Sequence, residues 1–313
     1  MLSLLTRKKR FGDPWIGHPQ LNRGVALHRR RMQLAEGLCR WRRLLVAPQG
    51  SSPQGSALPA ATLAALVRDG CVQIPDFLPA ASFAALREEV EQAVATTGLM
   101  RPQGGNHKPG YQRKRPFPGG FDRFDGGTLN RFLAIQPAAM PQAAGVAADR
   151  RLSVCSRTVI GLPHRPANLE IYLTVHGEEA RTPDLQKVLH RDTFFRSLKF
   201  WLFLRPVSPE DGPFVYVPGS HRLDHRRLQW EQATANAAIA ARTMPNLGGS
   251  FRIHESELAA LGLPRPVSFS CPENTLVVAD VLGFHRRGDA LPGRERLALY
   301  GWLRPYPFSP LPW

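Results

Sequence analysis

The segment V-L-H-R-D-T-F-F at 188–195 places His190 two residues ahead of Asp192 in a stretch otherwise suited to burial. On an extended backbone alternate side chains share a face. An imidazole and a carboxylate at this spacing can therefore reach one ion while Arg191 points the other way. Two imidazoles and one carboxylate on one face form the set that binds non-haem Fe(II) and leaves positions open for a cosubstrate and oxygen. A third ligand is then required, and His221, His225, His254 and His285 all lie downstream. His285 has the most favourable setting, because it follows the apolar run T-L-V-V-A and a turn-like D-V-L-G, then leads into R-R-G. A lone H-x-D recurs by chance, and its ordinary reading is a polar pair at the end of a strand.

The elements that must position these residues are mostly strands. L-E-I-Y-L-T-V (169–175), S-L-K-F-W-L-F-L (197–204), F-V-Y-V (214–217), T-L-V-V-A (275–279) and E-R-L-A-L-Y-G-W-L (295–303) are short and rich in branched and aromatic residues. Turn sequences separate them, without the repeated helical crossovers of a wound parallel sheet. The turn S-P-E-D-G-P at 208–213 reads as a hairpin connection. Helices are expected over 19–45, Ala60–Val67, Pro79–Thr97 and 224–242, and the C-V-Q-I after Asp69-Gly70 as a short strand. Residues 101–127 form a Gly/Pro/basic tract interleaved with aromatics, expected to be an irregular surface loop or a lid over a substrate. The fold class is mainly β with flanking helices, read as a double-sheet barrel.

At 313 residues the chain can bury a substantial core, and 43% hydrophobic with 21% charged residues fits a globular protein. No run approaches the length of a membrane-spanning helix. The apolar patch at the start precedes its charges, the reverse of an export signal, so a cytoplasmic protein is expected. The four cysteines are widely spaced and are read as buried free thiols. A net charge of +16 is concentrated early, with eleven Lys/Arg against two acidic residues in 1–50. Solvated faces account for such charge in many proteins, and attraction to an anionic partner is the functional reading. No nucleic-acid-binding signature accompanies it, so no nucleic acid is expected. Residues 1–58 are read as a basic helical extension with the linker V-A-P-Q-G-S-S-P-Q-G-S, and 59–313 as the main domain.

Three segments together resemble the phytanoyl-CoA dioxygenase family: H-R-D at 190–192, D-G-P-F-V-Y-V-P-G-S-H-R at 211–222, and F-H-R-R-G at 284–288 followed by R-E-R-L-A-L-Y. The resemblance covers about residues 60–305, including the opening V-R-D-G-C-V-Q-I-P-D-F-L. It implies a double-stranded β-helix core of the jelly-roll or cupin type, and an enzyme dependent on Fe(II) and 2-oxoglutarate with O2 as cosubstrate. It implies His190, Asp192 and His285 as the catalytic iron ligands. It also implies an arginine on the strand after the distal histidine, gripping the far carboxylate of 2-oxoglutarate. Arg296, eleven residues past His285, is the first choice and Arg294 the second. If Leu297, Leu299 and Leu303 face a packed side, then Arg296, Ala298, Tyr300 and Trp302 share the other. A guanidinium there can hold a carboxylate with two parallel bonds. His221 of P-G-S-H is not an iron-ligand position and is expected to fix a loop by hydrogen bonding. Asp192 stands where halogenating relatives have a small residue, so hydroxylation of an unactivated C–H bond is expected.

The basic segments favour an anionic small molecule or lipid-linked substrate. One alternative is a hydroxylase of the acidic sugar of lipopolysaccharide, with residues 1–45 contacting the inner face of a membrane peripherally. The other is a β-barrel binding protein that kept the fold without turnover.

Overall fold

The alternation expected along the strands sorts apolar side chains onto two faces of one large sheet. The computed structural model describes residues 26–46, 58–97, 114–163, 169–178, 183–241 and 250–311. Eleven strands are found among these: β1 (Cys71–Ile74), β2 (Arg115–Phe117), β3 (Gly120–Asp125), β4 (Thr128–Ala134), β5 (Leu169–Val175), β6 (Leu198–Phe203), β7 (Phe214–Tyr216), β8 (Val267–Phe269), β9 (Thr275–Asp280), β10 (His285–Arg287) and β11 (Glu295–Leu303). Eight form a sheet in the order β1-β9-β6-β11-β5-β4-β3-β2, and three form a second sheet, β10-β7-β8. Every pairing is antiparallel. This is the expected two-sheet β core with flanking helices.

The helices are α1 (Ala26–Leu45), α2 (Ala60–Asp69), α3 (Ala80–Thr96), α4 (Pro141–Ala147), α5 (Arg150–Ile160), α6 (His225–Ala241) and α7 (Glu255–Leu258). Leu66 of α2, Leu86 of α3, Val146 of α4 and Ile160 of α5 pack against Ile171, Leu202, Val278 and Leu299 on the outer face of the large sheet. The inner face carries Phe132, Tyr172, Trp201, Phe203 and Ala298, which meet Phe214 and Tyr216 from the small sheet. On β11 the expected division holds: Leu297, Leu299 and Leu303 join the outer core, while Ala298 and Tyr300 join the inner one.

The tract at 101–127 corrects the expectation of irregular structure in its second half. Residues 98–113 lie outside the described residues, and with them most of the lid reading. Residues 115–125 form the edge strand β2 and its neighbour β3, joined by a turn in which Gly119 has φ 85°. Pro116 is tolerated because β2 is an edge strand and need not donate to a further neighbour. Phe121 and Arg123 alternate with Asp122 and Phe124, so the sequence does carry a period of two, hidden by its Gly and Pro content.

Helix α1 is tied to the body of the protein. Met32, Ala35 and Cys39 are buried. Glu36 accepts hydrogen bonds from Arg196, and Arg42 donates to the carbonyls of Ile160 and Ser309. At its N-terminal end His28 donates to Glu231 of α6 at 2.9 Å. Glu231 is fully buried and also receives both arms of the Arg191 guanidinium, at 2.9 and 2.8 Å, and Arg227 at 3.1 Å. Burial holds His28 neutral, so its bond to Glu231 is a hydrogen bond and not an ion pair. Burial also opposes ionisation of Glu231, but Arg191, His28 and Arg227 outweigh it and hold the carboxyl well below its usual range.

No helix among the described residues is long and apolar enough to cross a membrane. All four cysteines are buried and unpaired. The Glu231→Gln variant should lose about 3–5 kcal/mol of unfolding free energy in urea, because it strands two buried guanidinium groups. The parent's contribution from this carboxylate is complete above about pH 4.3, the value in an unfolded chain, and fades as pH falls toward the depressed folded value. The gap between parent and variant should therefore narrow in acid.

Candidate active site

His190 and His285 lie 95 positions apart in sequence but opposite each other in an antiparallel bridge. Each donates its backbone N–H to the other's carbonyl at 2.9 Å. In such a mutually bonded pair the two side chains emerge on the same face, and the rings lie 4.6 Å apart between centroids. Asp192, two residues along, turns to the same side. Its Oδ1 is 3.6 Å from Nε2 of His190 and 3.5 Å from Nε2 of His285. One ligand atom from each of the three residues falls within 4.8 Å of the other two.

The protonation pattern suits a divalent metal. Nδ1 of His190 donates to the carbonyl of Val188 at 2.7 Å, and Nδ1 of His285 to that of Gly283 at 2.9 Å. Those bonds put the ring proton on Nδ1 and leave the Nε2 lone pairs facing the centre. Burial and the neighbouring His285 push the His190 imidazole down to about 3, so it is neutral at physiological pH. Burial works against charge on Asp192, yet Lys199, the adjacent His285 and Arg304 keep its carboxyl well below the usual range. Nε2 of His285 is buried without a hydrogen-bond partner among the described residues. Two imidazoles whose Nε2 atoms face the centre, one carboxylate and an orphaned ring nitrogen fit Fe(II).

Supporting residues explain why the ligands hold this geometry. Arg191 points away from the centre, as strand alternation requires, into the Glu231 pair and over the Phe251 ring at 4.1 Å. The 211–222 segment positions the distal histidine. Ser220 Oγ accepts from the backbone N–H of Phe284, and the Tyr216 hydroxyl donates to the carbonyl of Asp280, both at 2.8 Å. A Cβ at Gly283 would collide with that hydroxyl, so the turn into His285 needs glycine there. His221 bonds the Val67 carbonyl through Nε2 at 3.0 Å, the loop-fixing role expected of it. The other two histidines considered, His225 and His254, sit at helix starts and are no part of the cluster.

Arg296 lies on the inner face of β11, directly opposite Thr174 of β5. Its side chain is buried, and Nε has no hydrogen-bond partner among the described residues. The Thr174 hydroxyl and Nδ1 of His176, on the same face of the neighbouring strand, are likewise buried and unpartnered among the described residues. Burial and the nearby Arg287 lower the Arg296 guanidinium to about 10, against the opposite pull of Tyr172, and it stays charged at neutral pH. A buried guanidinium beside an unsatisfied hydroxyl is costly unless a guest supplies acceptors. A carboxylate does so, with two oxygens for a forked donor.

Arg294 differs from Arg296 on each count. It is half-exposed, and its Nε is held by Asp211 at 2.6 Å, so it closes the rim beside the D-G turn and does not reach inward. Thr174 and His176 were not singled out from sequence. Their signal was the alternation of L-E-I-Y-L-T-V, which puts Glu170, Tyr172 and Thr174 on one face, but only the pairing of β5 with β11 sets them beside Arg296.

The family model described as phytanoyl-CoA dioxygenase matches residues 66–245, more than half of the chain. His190 and Asp192 fall inside that span; His285 and Arg296 lie beyond it. No curated protein matches the chain. Among solved structures the chain is similar to the HygX protein of Streptomyces hygroscopicus with nickel and 2-oxoglutarate bound, at 19% identity over 80% of this chain and 89% of that one, with a TM-score of 0.45. It is similar to the 2-oxoglutarate-dependent epimerase SnoN of nogalamycin biosynthesis at 16% identity, covering 77% and 80%, with a TM-score of 0.45. It is similar to EctD of S. alaskensis at 17% identity, covering 83% of each, with a TM-score of 0.43. These likenesses are distant, and the assignment rests on the family match. The chain belongs to the phytanoyl-CoA dioxygenase family, and it is a non-haem iron, 2-oxoglutarate-dependent dioxygenase.

Proposed function

We propose that His190, Asp192 and His285 hold the iron, that Arg296 and Thr174 hold the far carboxylate of 2-oxoglutarate, and that the enzyme hydroxylates an unactivated C–H bond of an anionic small molecule. The observation that carries this reading is the set of buried, unpartnered polar atoms facing one interior: Nε2 of His285, Nε of Arg296 and the hydroxyl of Thr174. Fe(II) with 2-oxoglutarate would supply the oxidant, coupling oxygen reduction to the decarboxylation of 2-oxoglutarate to succinate and carbon dioxide.

The chain's own share is positioning and exclusion of water. His190 and His285 present lone pairs on fixed rings, and Asp192 stays ionised between them. Phe132 and Tyr172 stack at 4.6 Å, Tyr172 and Tyr300 meet at 5.3 Å, Tyr300 and Trp201 at 5.7 Å, and Trp201 and Phe214 at 4.6 Å. Phe214 continues this wall to the ring of His285 at 5.6 Å. It is an apolar lining against which a substrate carbon can be held near the metal position. The anionic character of the substrate is supported by the net charge of +16.

A membrane-surface version of this activity, acting on the acidic sugar of lipopolysaccharide, is supported by one feature of α1. Its outward side exposes Leu34, Trp41, Leu44 and Leu45 beside Arg30 and Arg40, the composition of an interfacial helix. Only that side is available, because the opposite one is packed on the core.

Anaerobic addition of Fe(II) and 2-oxoglutarate should produce a weak visible charge-transfer band; Asp192→Ala should abolish it, and its absence from the parent would sink the iron assignment. Arg296→Gln should raise the apparent Kd for 2-oxoglutarate at least tenfold, and Thr174→Val a few-fold, with Fe(II) affinity unchanged in both. Equal Kd values would remove Arg296 from its role. For the membrane version, a Trp41→Ser, Leu44→Ser double variant should sediment less with anionic liposomes than the parent. Surface variants are preferable to deleting residues 1–45, which would pull His28 and Met32 out of the interior.

A further inference from the structure

The second oxygen of Asp192 is held by more positive charge than one carboxylate can balance. Oδ2 accepts from Lys199 Nζ at 2.6 Å and from Arg304 at 2.7 Å. Lys199 lies on the inner face of β6, opposite Trp302 of β11 in register. Arg304 follows immediately after β11 and continues the inner row Arg296, Ala298, Tyr300, Trp302 outward. Burial falls along that row. Arg296 is 9% exposed, whereas Trp302 is 38% exposed and the Arg304 side chain 45%. The row therefore runs from the interior to the mouth of the barrel, with Lys199 and Arg304 at the end that opens beside the metal ligands.

Charge accounting at neutral pH makes the surplus explicit. A divalent ion, the Asp192 carboxylate, the dianion of 2-oxoglutarate and the Arg296 guanidinium sum to zero. Lys199 and Arg304 remain, two positive charges next to a metal that already carries positive charge, in a partly desolvated setting where such repulsion is expensive. For Arg304, no partner other than Asp192 is found among the described residues. Its remaining N–H groups can therefore take an anion without breaking a second pair.

We propose that Lys199 and Arg304 form the receptor for the substrate's anionic group (a carboxylate, sulfate or phosphate), placing the carbon to be oxidised beside the iron position. Lys199 stays against Asp192, and the more exposed Arg304 is shared between Asp192 and the incoming anion. The carbon body adjoining that anion then lies along Tyr300 and Trp302. This deepens the oxygenase reading above and rests on it.

The test uses the full chain loaded with Mn(II) and 2-oxoglutarate, which fills the Arg296 site and does not turn over. Sodium sulfate is the probe, against sodium chloride at equal ionic strength, with the melting temperature as readout. The parent should be stabilised by sulfate beyond chloride. Arg304→Gln should need at least tenfold more sulfate for the same shift, and Lys199→Gln should behave likewise. The control Arg205→Gln, whose side chain pairs with Glu91 and Glu295 away from the site, should match the parent. Should Arg304→Gln fail to fold, Lys199→Gln carries the same comparison. No sulfate response in the parent, or an equal response in parent and variants, overturns the receptor. If Mn(II) and 2-oxoglutarate themselves give no stabilisation, it is the oxygenase site assignment that falls; if they do and sulfate does not, only the receptor falls.

Discussion

The site depends on one backbone pairing, the reciprocal hydrogen bonds between His190 and His285. An antiparallel pair that exchanges both bonds fixes the two Cα atoms about 5.5 Å apart and sends both side chains to one face. No side-chain contact could impose this as firmly, because the backbone groups would otherwise be buried without partners. The 188–192 segment is braced on its other edge as well, by bonds from Arg191 N–H to Phe251 and from Ile253 N–H to Leu189. A segment held on both edges cannot slip by one residue without turning Arg191 inward and both ligands outward.

That register separates charge of two kinds. Behind the ligands, Arg191, Arg227 and His28 converge on Glu231, so α1 and α6 are locked to the back of the site through one buried carboxylate. In front, Asp192 meets Lys199 and Arg304 at the open end of the barrel, and Arg296 waits deeper inside with its Nε unpaired. The rear network is fully buried, closed to guests, and contributes rigidity. The front carries cations that the protein leaves for guests to balance, the usual difference between a structural ion cluster and a binding site.

Helix α1 is itself divided into two sides. Its inward side completes the rear network, and its outward side is where basic and apolar residues remain in solvent. An Arg-rich, amphipathic helix was readable at that position, with Leu21, Val25, Met32, Leu34 and Leu38 expected to share one side; the structure corrects this, burying Met32 and exposing Leu34. Met32, Ala35 and Cys39 face the core, whereas Leu34, Trp41 and Leu44 do not. Both sets are hydrophobic, so hydropathy alone does not choose between them.

The local patterns set by sequence were the strands, their inward and outward faces, and the H-x-D spacing with its same-face consequence. Each follows from a period of two, a property of the extended chain itself. The family resemblance settled on His285 among the downstream histidines and added Arg296, whose pairing with the earlier residues no local rule could supply. Tertiary structure decided what depends on strands distant in sequence becoming neighbours. It placed Thr174 beside Arg296, turned Arg294 to the Asp211 rim, and gathered Lys199 and Arg304 on one oxygen of Asp192. Sequence states which faces exist, and sheet order β6-β11-β5 states which faces meet. Arg294 and Arg296, two positions apart, are equivalent by alternation, and only the place of the first just outside β11 and the acceptors waiting there set them apart.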